Sequence, residues 1–399
     1  MVRQRELRTG DFIGSLLASF SQGNVRCLAD LHRAFVRDTD ADMDYRSFYD
    51  RLNSPGFPAL MQAAFLHAAN HLVLQALRFL PDSPFARFSA VLVQDGSSFA
   101  VHDGLAGVFP GRFTKTAPAA VEVHATFDLL ANTCETVSVA PDVQGERDFL
   151  PAAATLAGTL LLADRGYPSY AYLAAVDDAD GFFVMRGKEN LASAVVGRYT
   201  DTGELVDLER PLPLAGYAKQ HAGQALDVII QVKVGADLKH FRVVAYPKAK
   251  GRHTFLLTNL PRAAFSAEQV GLAYRLRWQV ELLFREWKSH ANLRRFVTRK
   301  QPIAEGLIWA SLLVSLLTRF VATAAQTVGR VTISTLKAAK MMGAHLPALL
   351  AGLVRAQIDF DAAFRRALED LIQNGRRAHP ARDKQKGREK SGLRPALQA

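Results

Sequence analysis

Four residues between positions 274 and 288 carry side chains suited to chemistry on a phosphate. Tyr274, Arg277, Glu281 and Lys288, within YRLRWQVELLFREWK, are spaced Tyr-x2-Arg-x3-Glu-x6-Lys. At about 100° per residue, a helix places them near 0°, −60°, −20° and −40°, on one narrow stripe. Leu276, Val280, Leu283 and Trp287 fall on the opposite side with helical spacing and would face a core. An acid flanked by two cations and a phenol suits a carboxylate that holds a metal ion while its neighbours hold a phosphate. The same residues also fit a solvated charged face, with Glu281 and Arg285 as an ordinary i,i+4 pair. The rest of the chain decides between the two.

A carboxylate that holds a catalytic divalent ion needs acidic partners. Two aspartates stand at the ends of apolar, β-like runs. Asp95 follows Phe88–Gln94 and precedes Gly96, Ser97 and Ser98; Asp164 follows Thr159–Ala163 and precedes Arg165, Gly166 and Tyr167. Short aliphatic runs bounded by Gly or Ser are expected of buried strands. A glycine after the acid lets it project from a rigid sheet with little crowding. Taken singly, either Asp reads as a turn residue; the Glu281 stripe turns the three into a candidate metal site.

On these motifs the chain resembles a DDE transposase of a bacterial insertion sequence, of the IS-four type marked by the Tyr-Arg-Glu-Lys stripe. The matching features, in order, are QDGSS around Asp95, LADRGY around Asp164, TNL at Thr258–Leu260 and AYRLRWQVELLFREWK from Ala273 to Lys288. Together they span about half the chain. One departure is Gly96, where relatives often carry Ser and then Thr.

The resemblance implies an α/β fold: a ribonuclease-H-like catalytic core interrupted by a β-rich insertion, with helical N-terminal and C-terminal regions. It implies that Asp95, Asp164 and Glu281 coordinate two Mg²⁺ or Mn²⁺ ions for cleavage and strand transfer of DNA. Tyr274, Arg277 and Lys288 would grip phosphates near the cleaved end, and Arg186 matches a basic position the family tends to keep. Relatives cut element ends through a hairpin intermediate and join the 3′ ends to a target, as a dimer pairing two ends. The expected partners are therefore double-stranded DNA and a second copy of the chain. Arg285 is a further candidate DNA contact, and Trp278, about 40° from the stripe, a candidate for stacking on a base or for the core.

The organisation that would position these residues follows from periodicity. Residues 1–84 read as a helical region in which Cys27–Val36 and Asp44–Leu52 form either a helix-turn-helix-like pair or a small bundle with surface arginines. Tyr45, Arg46, Tyr49 and Arg51 would then be the candidates for a DNA-facing helix. Pro81-Asp82-Ser83-Pro84 marks a boundary. Residues 85–167 form the first part of the core. There Val121–Leu129 and Cys134–Ala140 read as a hairpin, Gly145–Leu156 as a helix, and Thr159–Ala163 as a strand parallel to the first. Asp128 is the substitute should the first ligand be misplaced, whereas Asp103, Asp142 and Asp148 read as turn or first-turn acids. Residues 168–259 carry β-like runs at Gly181–Met185, Asp227–Val234, Lys239–Tyr246 and His253–Thr258, with a turn at Asp201–Glu204. Residues 260–300 complete the core, 301–373 are helical, and 374–399 form a basic, disordered tail. Gly306–Ala325 is apolar enough to raise the question of a membrane span. Ser311, Ser315, Thr318 and Arg319 favour a buried helix packed on the core, so no membrane is expected.

Composition fits a nucleic-acid partner. The 399 residues hold 49 Lys and Arg against 38 Asp and Glu, a net charge of +11. Between Arg275 and Lys300, eight cations face only Glu281 and Glu286. Such a concentration beside a metal site makes sense if a polyanion covers it. Cys27 and Cys134 have no zinc or CxxC spacing and suit a reduced, cytoplasmic, bacterial protein, nucleoid-associated when bound to DNA. No phosphate-binding Gly loop or nucleophile elbow points to a small-molecule substrate. Two other functions fit the same residues: a nuclease of the same fold without transposition, and a catalytically silent, transposase-derived DNA-binding protein.

Overall fold

The computed structural model describes residues 8–23, 25–72, 84–131, 133–164, 166, 169–188, 192–277, 298–355 and 359–378. Trp278, Glu281, Arg285 and Lys288 lie outside the described residues, as do Pro81, Asp82 and Ser83 and the tail beyond residue 378. The described strands form one ten-stranded sheet in the order β3-β2-β1-β4-β5-β10-β9-β8-β6-β7. Strands β1 (Ala90–Ala100), β2 (Ala120–Asp128) and β3 (Thr133–Pro141) make an antiparallel meander. β4 (Thr159–Ala163) lies parallel to β1, and β5 (Phe182–Arg186) parallel to β4. Helix α5 (Tyr170–Asp178) makes the crossover between them. β6 (Ala194–Tyr199), β7 (Leu205–Pro213), β8 (Leu226–Val234), β9 (Asp237–Pro247) and β10 (His253–Thr258) extend the sheet with antiparallel pairings. The 168–259 stretch thus supplies six of the ten strands of a continuous sheet, and β5 sits directly beside β4.

Alternation sorts the central strands between two cores. Val91, Val93, Leu160, Leu162, Val184 and Leu256 enter one hydrophobic cluster, while Leu161, Ala163, Phe183, Met185 and Leu257 enter the other. All five residues of β4 are buried, as expected of a parallel strand covered on both faces. Truncating one of its leucines to alanine would cost about 2–5 kcal/mol. The first face is covered by α7 (Ala267–Leu276), which buries Val270, Ala273 and Leu276. A capping box starts that helix: Gln269 N donates to Ser266 Oγ at 3.2 Å, and Ser266 N to Gln269 Oε1 at 2.7 Å.

The remaining helices pack together. α1 (Thr9–Ser21), α2 (Leu28–Thr39), α3 (Tyr45–Leu52) and α4 (Gly56–His71) join α8 (Gln301–Gly329), α9 (Thr335–Arg355) and α10 (Phe360–Asn374). Edge-to-face contacts of Phe12 with Phe35, Phe48 and Phe57 hold the first three helices to the start of α4. Phe48 and Leu52 turn α3 inward, leaving Tyr45, Arg46 and Arg51 exposed. α8 is long and apolar enough to cross a membrane, yet 67% of its most apolar window is buried inside this fold. Its neighbours are mainly α4, α10, α1 and α9. The short α6 (Leu214–Gln220) leads into β8.

Two sequence expectations change. The helix expected over Gly145–Leu156 is a pair of 3-10 turns, Glu146–Phe149 and Ala153–Thr155. Pro151 accounts for the break: it lacks an N–H and forces Leu150 into an extended conformation, φ −68° and ψ 143°. β1 also runs five residues past Asp95, because β2 pairs with it as far as Ala100↔Ala120. Asp95 therefore stands within a strand and not in a turn.

Candidate metal and phosphate site

Register places the acids side by side. Gln94 pairs with Ala163 across β1 and β4, and Ala163 with Met185 across β4 and β5. The next residues on these three parallel strands are Asp95, Asp164 and Arg186, which form one row. Each is two residues beyond a member of the first core (Val93, Leu162, Val184), so strand alternation turns all three to the face that α7 covers. Asp128, the substitute ligand, is elsewhere: it pairs with Leu92 at the far end of β2, and its Oδ1 accepts from Leu130 N at 2.8 Å and Val91 N at 3.3 Å. It fixes the β2–β3 turn.

From α7 and its C-cap, two side chains come down on the acids. Arg277 Nη1 donates to Asp95 Oδ2 at 2.8 Å. The Tyr274 hydroxyl donates to Asp164 Oδ1 at 3.0 Å, and Arg186 Nη1 lies 3.7 Å from the same oxygen. The guanidinium of Arg277 also stands over the Tyr274 ring, 5.5 Å from its centroid. The Arg277 and Asp95 side chains retain 10% and 14% of their exposure, so water screens this pair weakly. Burial pushes the Tyr274 phenol well above its ordinary value, which keeps it protonated and a donor to Asp164.

This donor set fits a hard divalent cation. Two carboxylates on neighbouring strands of a rigid sheet, sharing one face, offer the oxygen ligands that Mg²⁺ and Mn²⁺ prefer. Among the described residues no group of three His, Cys, Asp or Glu comes together. The third expected acid, Glu281, lies outside the described residues, four positions after Arg277.

Several residues that position the site carried no clear chemical signal in the sequence. Arg242, 3% exposed, makes a bidentate pair with Asp227 at 2.7 Å and donates to the carbonyls of Leu260 and Phe265. Those carbonyls belong to the segment leading into α7. The Tyr246 hydroxyl donates to Ala267 O and occupies the space that a Cβ on Gly271 would need. β9 thereby fixes the height of α7 over the sheet. The TNL motif has a structural role: Thr258 Oγ1 donates to Phe183 O at 2.7 Å, and Asn259 bridges Phe183 N and Gly181 O. These bonds fasten β10 to the start of β5. Gly166, two residues after Asp164, leaves room for the Glu146 carboxylate.

Comparison with known proteins identifies the family. Residues 86–317, more than half of the chain, match the family described as Transposase DDE domain. A transposase for insertion sequence element IS231B of Bacillus thuringiensis subsp. berliner is 22% identical over 346 residues, covering 75% of this chain and 71% of that protein. The putative transposase InsL for insertion sequence element IS186A of Escherichia coli (strain K12) is 45% identical over 65 residues. That match covers 16% of this chain and only 18% of the InsL length. A solved piggyBac transposase synaptic complex with hairpin DNA aligns over 93% of this chain and 76% of that one, at 12% identity and a TM-score of 0.40. The chain belongs to the transposase DDE-domain family, alongside transposases of bacterial insertion sequences.

Proposed function

We propose that this chain is a DNA transposase that binds the ends of an insertion sequence and catalyses metal-dependent cleavage and strand transfer. The observation that carries the proposal is the row of Asp95 and Asp164 on adjacent parallel strands, faced by Arg277 and Tyr274. The strand order β3-β2-β1-β4-β5, with an antiparallel meander followed by two parallel strands, supports a ribonuclease-H-like core. The β-rich insertion is expected over residues 168–259; on this reading β5, inside those bounds, belongs to the core and β6–β10 to the insertion.

Asp95, Asp164 and Glu281 would hold two Mg²⁺ or Mn²⁺ ions, which when bound activate the attacking hydroxyl and stabilise the leaving oxygen. The protein's own part is positioning and charge neutralisation, the main demands of phosphoryl transfer. The rigid sheet fixes the spacing of the two aspartates. Tyr274 orients Asp164 through its hydroxyl. Arg277 and Arg186 offer fork-shaped donors that match a phosphate as well as a carboxylate. Lys288, Arg285 and Trp278 would extend the grip along the DNA. Pairing of two element ends calls for a homodimer, working in the bacterial cytoplasm.

The test is a metal-dependent cleavage assay on DNA carrying the element ends, comparing the wild type with Asp95→Asn and Asp164→Asn. Loss of cleavage with DNA binding retained supports the proposal. Full cleavage by either variant removes that residue from the mechanism.

A further inference from the structure

The sheet edge that carries the acid row is notched. β4 ends at Ala163 and β5 at Arg186, while the flanking strands run on. On one side β1 and β2 continue to Ala100↔Ala120. On the other, Leu256 of β10 pairs with Arg186, and the β10–β9 pair continues to His253↔Pro247 before turning through residues 248–252. The second wall is strongly basic. Its turn reads Lys248-Ala249-Lys250-Gly251-Arg252, and all five residues are exposed. Beside it, Gly251 packs near Ala222, and His253 bonds to Gln224 O. This brings up the 219–224 stretch with its exposed Lys219. No Asp or Glu occurs in residues 214–226 or 243–257.

The turn is also built in an unusual way. Lys250 adopts a left-handed conformation, φ 62° and ψ 34°, followed by Gly251 at φ 68°. Asn or Gly would suit such a position better than lysine. Lys248 N bonds to Arg252 O at 2.7 Å and closes the turn, so its cations are displayed on a fixed frame. The turn carries no large apolar side chain of the kind that anchors a protein partner.

We propose that Lys248, Lys250 and Arg252, joined by Lys219, form a wall that contacts the phosphates of duplex DNA beyond the reacting bond. The turn stands four residues past Leu256, or roughly 14 Å beyond the acid row, and about 12 Å sideways from β4. The resulting span of roughly 18 Å corresponds to about five base pairs along the duplex. The inference rests on the transposase reading above, since it takes DNA as the substrate, but it assigns a surface remote from the acids.

The test uses the full chain, a short duplex of arbitrary sequence and no divalent metal. Fluorescence anisotropy gives affinity across a NaCl series. Lys250→Gln/Arg252→Gln should weaken binding and reduce the slope of log K against log[salt] by about two, as expected for two lost phosphate contacts. Lys250→Gly keeps the turn's backbone and removes one charge; it should lower the slope by about one with no loss of melting temperature. Wild-type slopes in both variants would overturn the inference while leaving the transposase reading intact. Absence of salt-dependent duplex binding by the wild type would overturn the transposase reading itself.

Discussion

Arg277 and Asp95, 182 positions apart in the chain, form a 2.8 Å ion pair in a nearly closed site. Asp95 is also a proposed metal ligand, so a cation already neutralises the carboxylate that a metal ion would use. The two cations compete for one carboxylate. Metal binding would be favoured when a phosphate draws Arg277 away, and linkage then requires metal and DNA ends to strengthen one another's binding.

Arg277→Gln tests this competition. In the absence of DNA, the variant should bind Mn²⁺ more tightly than the wild type, by roughly tenfold if the pair is worth about 1.4 kcal/mol to the resting site. Its cleavage of DNA ends should nevertheless fall. Titration calorimetry or Mn²⁺ spin resonance reads the first effect. Equal or weaker metal binding would show that Arg277 does not oppose the ion.

Tyr274→Phe removes the hydroxyl that orients Asp164. Loss of this bond should lower stability at neutral pH by about 1 kcal/mol. Because folding raises the phenol's pKa, the unfolded chain binds fewer protons above the ordinary tyrosine value of 10, and stability must fall as pH rises past it. Tyr172 and Tyr246 are raised by burial in the same way. Urea denaturation from pH 7 to 11 should show a steep alkaline decline in the wild type and a shallower one in the variant. Identical declines would deny Tyr274 this role.

His124, whose Nε2 lies 3.6 Å from Glu122 Oε2, is expected to weaken the fold as pH falls. It is 1% exposed, stacks on Phe149 at 3.7 Å, and neither ring nitrogen has a hydrogen-bond partner among the described residues. Burial and the nearby Arg112 charge push its pKa down to about 4. The unfolded chain takes up that proton near pH 6.5, so stability is complete above this value and falls by roughly 3 kcal/mol as pH drops to 4. His124→Phe should flatten this limb of the pH–stability curve. An unchanged limb would place the acid sensitivity in the carboxylates.

Gly271→Ala should displace α7, because the added methyl collides with the Tyr246 hydroxyl. A loss of about 1–3 kcal/mol is expected, with reduced cleavage. Adding Tyr246→Phe should recover part of the stability by removing the blocking oxygen. If Gly271→Ala melts like the wild type, β9 does not set the helix position.

What the sequence revealed follows from how local its signals are. Thr159–Ala163 could be read as a buried strand, since a β-branched threonine and four apolar residues match the five buried positions. Asp95 and Asp164 were legible from the strand runs and from motifs. β7 carries Asp207, Glu209 and Arg210 on an exposed sheet edge, so it lacks the alternation that reveals a half-buried strand. β6 was missed as well, and a bulge between Val195 and Gly197 interrupts its short alternation. The stripe pointed Tyr274 and Arg277 in one direction but did not reveal that each meets a different aspartate. That pairing depends on the height of α7, set by Arg242, Asp227 and Tyr246 from strands far along the chain. No periodicity encodes such a contact.

The most direct measurement is Mn²⁺-dependent cleavage of DNA carrying the element ends by Glu281→Gln, with duplex binding followed in parallel. The account predicts that cleavage falls to background, weaker Mn²⁺ binding accompanies the loss, and DNA affinity stays near the wild-type value. Cleavage at the wild-type rate would contradict a metal site shared by Asp95, Asp164 and Glu281.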